Sequence, residues 1–353
     1  MSSSKPFSKI FVAVIILAMA SISCSLFSGL PGGSGTSATV EAVQANPTPA
    51  ATTGAESPTA VPGTPYAPPE TPPAQNPESS QSPANEASVC PEDSCIVDGY
   101  FLLERPVGEG GRDTIDHSNR FGMYQKSTGE AHYGVDFLNS SGTPVVAAAD
   151  GVVVVAGDDL QTNYGPMVNA YGNLVIIKHN LPGYPKPIFT LYAQLSQISV
   201  KVNDQVRAGQ EIGQVGMSGR VTGSTLHFEV RLGENAYAAV SNPELWLKPL
   251  PDENGDLQGA LAGQVLDAKG NFMQVSNILV ERLGAPGQPA VSQIYLKTYA
   301  DKRLAGHPPL DENFAVGDLP PGSYKVSFWL QGLQQRVIEI QSGKLTQVTF
   351  NIK

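Results

Sequence analysis

The stretch Thr225 to Leu232, TLHFEVRL, alternates polar and apolar residues without a break. Leu226, Phe228, Val230 and Leu232 point one way, and Thr225, His227, Glu229 and Arg231 point the other. A side-chain period of two marks a strand with one face on a core. The polar face here carries a histidine between a threonine and a glutamate, which leaves open whether His227 does chemistry or is an ordinary strand residue. Other segments read alike. TPVVAAADGVVVVAG is predicted as a hairpin turning at Asp150-Gly151. YGNLVIIKHN and IFTLYAQL are two further strands, and VRAGQEIGQVG supplies another pair. No helix longer than a turn or two is evident. Charged residues make up only 15% of the chain, while it holds 36 glycines and 29 prolines, a composition suited to β-rich domains with many turns. The expected class is all-β, with 353 residues leaving room for two modest domains plus tails.

The ends are of another character. Residues 1–24, MSSSKPFSKIFVAVIILAMASISC, place Lys5 and Lys9 before an apolar run from Ile10 to Ala20, the layout of an export signal. Ser21-Ile22-Ser23-Cys24 is similar to a bacterial lipobox, which would make Cys24 a lipidation site and anchor the chain to a membrane. The other reading is an uncleaved anchor, since Phe11 to Leu30 carries no charge and is long enough to span a bilayer. Both put the remaining chain outside the cytoplasm. Residues 25–88 are rich in Pro, Thr, Ser, Ala and Gly, with eleven prolines from Pro47 to Pro83. Such a segment cannot bury enough apolar surface to fold, so it is expected to be a disordered tether. At about 3.1 Å per residue it would reach on the order of 180 Å when fully stretched. Of the three cysteines, Cys90 and Cys95 remain once Cys24 is set aside. Outside the cytoplasm they are expected to form a disulfide closing a small loop. The net charge is −10, of which −6 falls in residues 1–100, and no basic stripe exists. Nucleic acid is therefore not an expected partner.

Two folded units are expected, 90–251 and 259–353, separated by the linker PLPDENGDLQG. The second is read as strands near Gly263–Asp267, Ile278–Leu283, Gln293–Tyr299, Tyr324–Leu330, Gln335–Gln341 and Gln347–Ile352, which fits a small β-sandwich. Its FAVGDLPPGSYKVSFW resembles the prealbumin-like, carboxypeptidase-regulatory-type modules of extracellular proteins. That unit is assigned no chemistry, and His307, beside two prolines, is expected in a loop.

The chain has five histidines, at 117, 132, 179, 227 and 307. His132 lies in EAHYGVDF, four residues before Asp136. Two histidines and an aspartate make a common zinc set that leaves a position open. In a straight strand, residues four apart are separated by about 13 Å, so the chain must bend between them, and Gly134 is the residue that would permit it. His-x-x-x-Asp alone is weak evidence.

Residues 119–246 resemble the lysostaphin/LytM-type zinc endopeptidases, bacterial enzymes that cut peptide bridges in peptidoglycan. The resemblance rests on RFG…HYGVDF, GTPVVAAADGVVVVAG, YGNLVIIKHN, TLYAQLSQISVKVNDQVRAGQEIGQVGMSGRVTGSTLHFEVR and NPELWL, in the family's order and spacing. It implies an antiparallel β-sheet groove with zinc on its floor, held by His132, Asp136 and His227. It also implies two catalytic histidines beside the metal, and here the chain departs: those positions hold Gln194, in Tyr-Ala-Gln-Leu, and Thr225, in Thr-Leu-His. Threonine has no proton-transfer capacity near neutral pH. Glutamine can hydrogen-bond an oxyanion but cannot exchange a proton. Losing a general base lowers a rate by about 10²–10⁴ and losing an oxyanion donor by about 10²–10³. Of the remaining candidates, His179 is expected to be structural. His117 sits in a loop that could fold over the groove. Glu229 is expected to have a supporting or solvent role, and Tyr133 and Tyr192 to form groove wall or core. Two functional readings follow: a zinc endopeptidase with weakened catalysis acting on peptidoglycan, or a non-catalytic wall-binding lipoprotein that regulates a cell-wall hydrolase such as an amidase.

Overall fold

The computed structural model describes residues 90, 93–125, 129–301, 304, 306 and 310–353. The export segment 1–24 with Cys24, the tether 25–88 and His307 lie outside the described residues. Regular structure among the described residues is strand, apart from the single-turn 3-10 helices Tyr237–Ala239 and Pro243–Leu245. This is the all-β class that the alternation predicts. Among these residues no helix is long and apolar enough to cross a membrane.

The sheet that carries the site is organised around Asn173–His179 and Ile188–Ala193. Both are rich in β-branched and aromatic side chains; the second is buried throughout and the first at five of its seven residues. Thr225–Leu232 pairs antiparallel with Ile188–Ala193, setting Phe228 opposite Tyr192. Val135–Leu138 pairs with its first half, so that Asp136 lies directly opposite His227. The apolar side of Thr225–Leu232 joins Val135, Phe137, Tyr192 and Trp246 in the main core. Its polar side, Thr225, His227, Glu229 and Arg231, is buried too. The polar face is therefore an interior floor rather than a solvated surface.

Two expected strand pairings differ from the structure. Pro144–Val146 and Gly151–Asp158 do not form a hairpin at Asp150-Gly151. The first pairs with Glu211–Val215 and the second with Asn173–His179, in different sheets. Gly151 answers to space rather than to a turn: a Cβ there would lie 2.6 Å from the Lys178 carbonyl and 2.7 Å from His179 Nδ1. Likewise the two strands of VRAGQEIGQVG do not pair with each other. Gln205–Val206 joins Gly151–Asp158, whereas Glu211–Val215 lies between Pro144–Val146 and Leu195–Ile198.

The C-terminal region contains two four-stranded sheets. One has the order Ser94–Asp98, Lys344–Asn351, Gly259–Leu266, Phe314–Leu319; the other has Ser292–Leu296, Ile278–Arg282, Gly322–Trp329, Leu333–Ile340. Leu261, Phe314 and Phe350 of the first meet Ile278, Val280 and Val326 of the second in one apolar cluster. Phe314–Leu319 adds to the six strands read from the sequence. Ser94–Asp98, which carries Cys95 of the Cys90–Cys95 disulfide, hydrogen-bonds to Lys344–Asn351 and so joins the C-terminal sheets. The described residues all belong to one compact unit. Arg120 and Glu244 form a buried ion pair, and Glu244 also accepts the Gly317 N–H at 2.8 Å. Phe121 packs edge-on against Tyr299 with ring centres 5.1 Å apart.

Candidate metal centre

His132, Asp136 and His227 come together as the sequence predicts. His132 follows the short strand Glu130–Ala131, and its backbone N–H donates to the Met123 carbonyl at 2.8 Å. The chain then turns into Val135–Leu138. Gly134 makes this possible by its lack of bulk. A Cβ there would sit 2.4 Å from the Phe228 carbonyl and 2.8 Å from the His227 ring. Asp136 Oδ1 lies 2.9 Å from His227 Nδ1 and 3.3 Å from His132 Nε2, and the two ring nitrogens are 3.1 Å apart.

Those separations fit a metal ion. Three ligand atoms bound at about 2.0–2.1 Å on a tetrahedron lie about 3.3 Å from one another. Two imidazoles and a carboxylate are a zinc donor set, with a fourth position left for a small ligand. The outer partners fit as well. His132 Nδ1 donates to the Asn119 carbonyl at 2.8 Å, which frees the Nε2 lone pair. His227 Nε2 donates to Glu229 Oε1 at 3.1 Å, which frees Nδ1. Asn119 Nδ2 donates to Asp136 Oδ2 at 2.6 Å, leaving Oδ1 to the metal. Each of the three ligands is thus oriented by a second group, the arrangement that sets tautomer and basicity in metal sites.

The charges follow from this packing. Burial favours a neutral Asp136, but the imidazoles of His132 and His227 outweigh it and hold the carboxyl well below its usual range. Burial would lower the His227 imidazole, yet hydrogen bonds to Asp136 and Glu229 push it up to about 9. Glu229 is fully buried. Burial would raise its carboxyl, and the Arg231 guanidinium, followed by His227, brings it down to about 2. Arg231, also fully buried, reaches Glu229 Oε2 at 2.7 Å, the Tyr164 carbonyl at 2.8 Å and Asn235 at 3.0 Å. Burial and the neighbouring Glu229 push the Tyr171 phenol well above its ordinary value, and its hydroxyl donates to Glu229.

The three ligands line a cleft of about 280 Å³ together with Asn119, Glu229, Gln194 and Thr225. Gln194 occupies the left-handed region at φ 66°, its N–H donating to the Tyr171 carbonyl at 2.8 Å. Its side chain is buried, and Oε1 has no partner. The Thr225 hydroxyl donates across the strand pair to the Phe137 carbonyl at 3.2 Å, so its proton is engaged. Tyr133 also lines the cleft and stacks on Tyr237, ring centres 4.0 Å apart. Tyr192 is core, its hydroxyl accepting the Ala148 N–H at 2.8 Å. His179 is buried between the Asp150 carbonyl and the Thr190 hydroxyl, away from the cleft. His117 lies exposed on a turn and does not line the cleft. Sequence reasoning did not single out Asn119, Tyr171 or Arg231. Arg231 shares the strand parity of His227 and Glu229, a signal that could have found it. Asn119 acts partly through its backbone carbonyl, which leaves no trace in a residue pattern.

Fold and donor set together define a protein with a mononuclear zinc site on an antiparallel sheet. Residues 130–239 match Peptidase family M23, so the chain carries an M23 domain. It is 38% identical over 116 residues to the cell division protein DipM of Caulobacter vibrioides, a match covering 33% of this chain and 17% of that protein. Over 120 residues it is 39% identical to the glycyl-glycine endopeptidase ALE-1 of Staphylococcus capitis, covering 34% and 30%. Over 99 residues it is 41% identical to the murein hydrolase activator NlpD of Salmonella typhimurium, covering 28% and 22%. The chain thus spans less than a third of the length of each of these curated relatives. Among solved structures, the catalytic domain of lysostaphin from Staphylococcus simulans aligns with 29% identity and a TM-score of 0.28, over 43% of this chain and 90% of that one.

Proposed function

We propose that this is an exported, membrane-tethered cell-envelope protein whose zinc-loaded M23 domain, within residues 90–251, binds the peptide part of peptidoglycan without cleaving it. The observation that carries this reading is a metal centre with complete ligands and complete supporting shell beside a cleft without a proton-transfer side chain at the two positions that need one. A bound zinc ion supplies Lewis acidity at a carbonyl oxygen. His132, Asp136 and His227 hold it, while Asn119 and Glu229 fix the two rings. Gln194 can hydrogen-bond a bound amide but cannot take up its proton, and the Thr225 hydroxyl is committed to Phe137. Relatives fall on both sides: ALE-1 is named an endopeptidase and NlpD a murein hydrolase activator. The lipobox-like segment ending at Cys24 supports anchoring at the outer side of a membrane, with the tether 25–88 giving reach. A regulated cell-wall hydrolase is the protein partner this reading implies.

A second reading, residual endopeptidase activity, is favoured by the intact ligand set and its buried Glu229–Arg231 support. Incubating the zinc-loaded full chain with purified peptidoglycan separates the two. The protein should sediment with the polymer and release no more muropeptides than Asp136→Ala does. Zinc-dependent release that Asp136→Ala abolishes would establish the endopeptidase reading instead.

A further inference from the structure

Residues 119–123 lie between the metal ligands and the C-terminal region and bond to both. On the ligand side, the Asn119 carbonyl accepts from the His132 ring at 2.8 Å, and its side-chain amide donates to Asp136 at 2.6 Å. The Gly122 N–H donates to the His132 carbonyl at 2.7 Å, and the Met123 carbonyl accepts the His132 N–H at 2.8 Å. On the other side, the Gly122 carbonyl accepts the Ala300 N–H at 2.8 Å. Arg120 pairs with Glu244, whose carboxylate also takes the Gly317 N–H, and Phe121 meets the Tyr299 ring edge-on. A line of backbone hydrogen bonds thus runs from Ala300 through Gly122 to the metal ligand His132.

Tyr299 is the fixed point behind this segment. It is buried, its N–H donates to the Asn313 carbonyl at 2.7 Å, and its hydroxyl donates to Glu312 at 3.0 Å and accepts from Asn242 at 3.1 Å. Its ring lies hard against Gly122, where a Cβ would come within 2.4 Å of it. Gly122 also sits in the left-handed region, at φ 75°, which glycine suits. Phe121, Ala131 and Tyr299 share one apolar cluster with Ala262 and Ala315 of the C-terminal sheets. The seating of residues 119–123 is therefore a matter of close packing, which yields little to displacement. Groups that orient metal ligands from behind set metal affinity. We infer that Tyr299 is a positioning residue for the metal centre: its ring seats residues 119–123, and through Asn119 and Gly122 it aligns His132 and Asp136. The C-terminal region, to which the sequence assigns no chemistry, thereby takes part in building the site. The inference rests on the reading of His132, Asp136 and His227 as zinc ligands.

Zinc competition against a chelating dye tests this in the full chain. Tyr299→Ala should weaken zinc binding about tenfold. Tyr299→Phe, which keeps the ring and drops only the hydroxyl, should bind zinc as the parent does. Phe350→Ala removes a buried ring from the other apolar cluster of the C-terminal sheets, which contains neither Phe121 nor Tyr299. It should lower the urea midpoint and leave zinc affinity unchanged. Tyr299→Leu stands in for Tyr299→Ala if the latter does not fold, with the same direction expected. Hydrogen exchange of the metal-free chain gives a readout without zinc. In Tyr299→Ala the Gly122 and His132 amides should lose more protection than those of Thr225–Leu232. Zinc affinity unchanged in Tyr299→Ala, equally weakened in Phe350→Ala, or lost as fully in Tyr299→Phe would overturn the inference, as would a uniform loss of protection. A parent chain that takes up no zinc would count against the proposed function, and the exchange comparison would then decide this inference by itself.

Discussion

Glu229 is the most informative residue to perturb, because it joins the metal centre to the interior. It is fully buried and accepts from His227 Nε2 at 3.1 Å, from Arg231 at 2.7 Å and from the Tyr171 hydroxyl. Glu229→Ala would leave the Arg231 guanidinium, itself fully buried, without its counter-charge. Breaking such a pair costs about 3–5 kcal/mol, a large part of the roughly 5–15 kcal/mol that holds a domain folded. Glu229→Gln is the readable change. It keeps the volume and one acceptor oxygen but removes the charge opposite Arg231 and puts an NH2 group, which cannot accept, in place of the second oxygen. With Arg231 still buried and charged, stability should fall by roughly 3–5 kcal/mol, as in Glu229→Ala. Removing the carboxylate behind the His227 ring also makes Nδ1 a weaker ligand, and zinc affinity should fall about 10–100-fold. Urea unfolding of the metal-free chain reads the first effect, and zinc competition against a chelating dye reads the second. A Glu229→Gln protein with unchanged urea midpoint and unchanged zinc affinity would refute the role assigned to this network.

Three other outcomes are expected. Gly134→Ala should disturb the metal centre by driving a Cβ against the Phe228 carbonyl and the His227 ring; a stability loss of roughly 1–3 kcal/mol, with weaker zinc binding in a competition assay, is the measurable result. Burial holds the His179 imidazole below its ordinary 6.5. The stability this neutral ring lends is therefore whole above pH 6.5 and is lost as pH falls through its lowered folded value. Urea midpoints measured from about pH 7 to about pH 5 should fall less steeply in His179→Gln than in the parent, and equal slopes would contradict this. Gln194→His combined with Thr225→His should raise zinc-dependent muropeptide release by about 10²–10⁴ if proton transfer is what the cleft lacks.

Much of the site could be read from residue order alone, and the reasons are local. Alternation in Thr225–Leu232 placed His227 on a strand, and the resemblance tied it to His132 and Asp136, where the register now puts Asp136 directly opposite His227. The Asp150-Gly151 hairpin failed because Asp-Gly also suits a corner where one strand passes close against another. Gly151 lies against the Lys178 carbonyl, and the two flanking strands enter different sheets. The pairing of Ser94–Asp98 with Lys344–Asn351 joins ends of the described chain that share no local signal. The buried polar side of Thr225–Leu232 was legible as polar but not as interior, because Tyr164 and Tyr171, which pack against it, lie far away in sequence.

The most direct measurement is the metal content of the purified full chain. One zinc per chain, retained through dialysis and lost in His132→Ala, is the expected result. Metal-free protein after zinc reconstitution, or zinc held equally well by His132→Ala, would contradict the assignment of His132, Asp136 and His227 as its ligands.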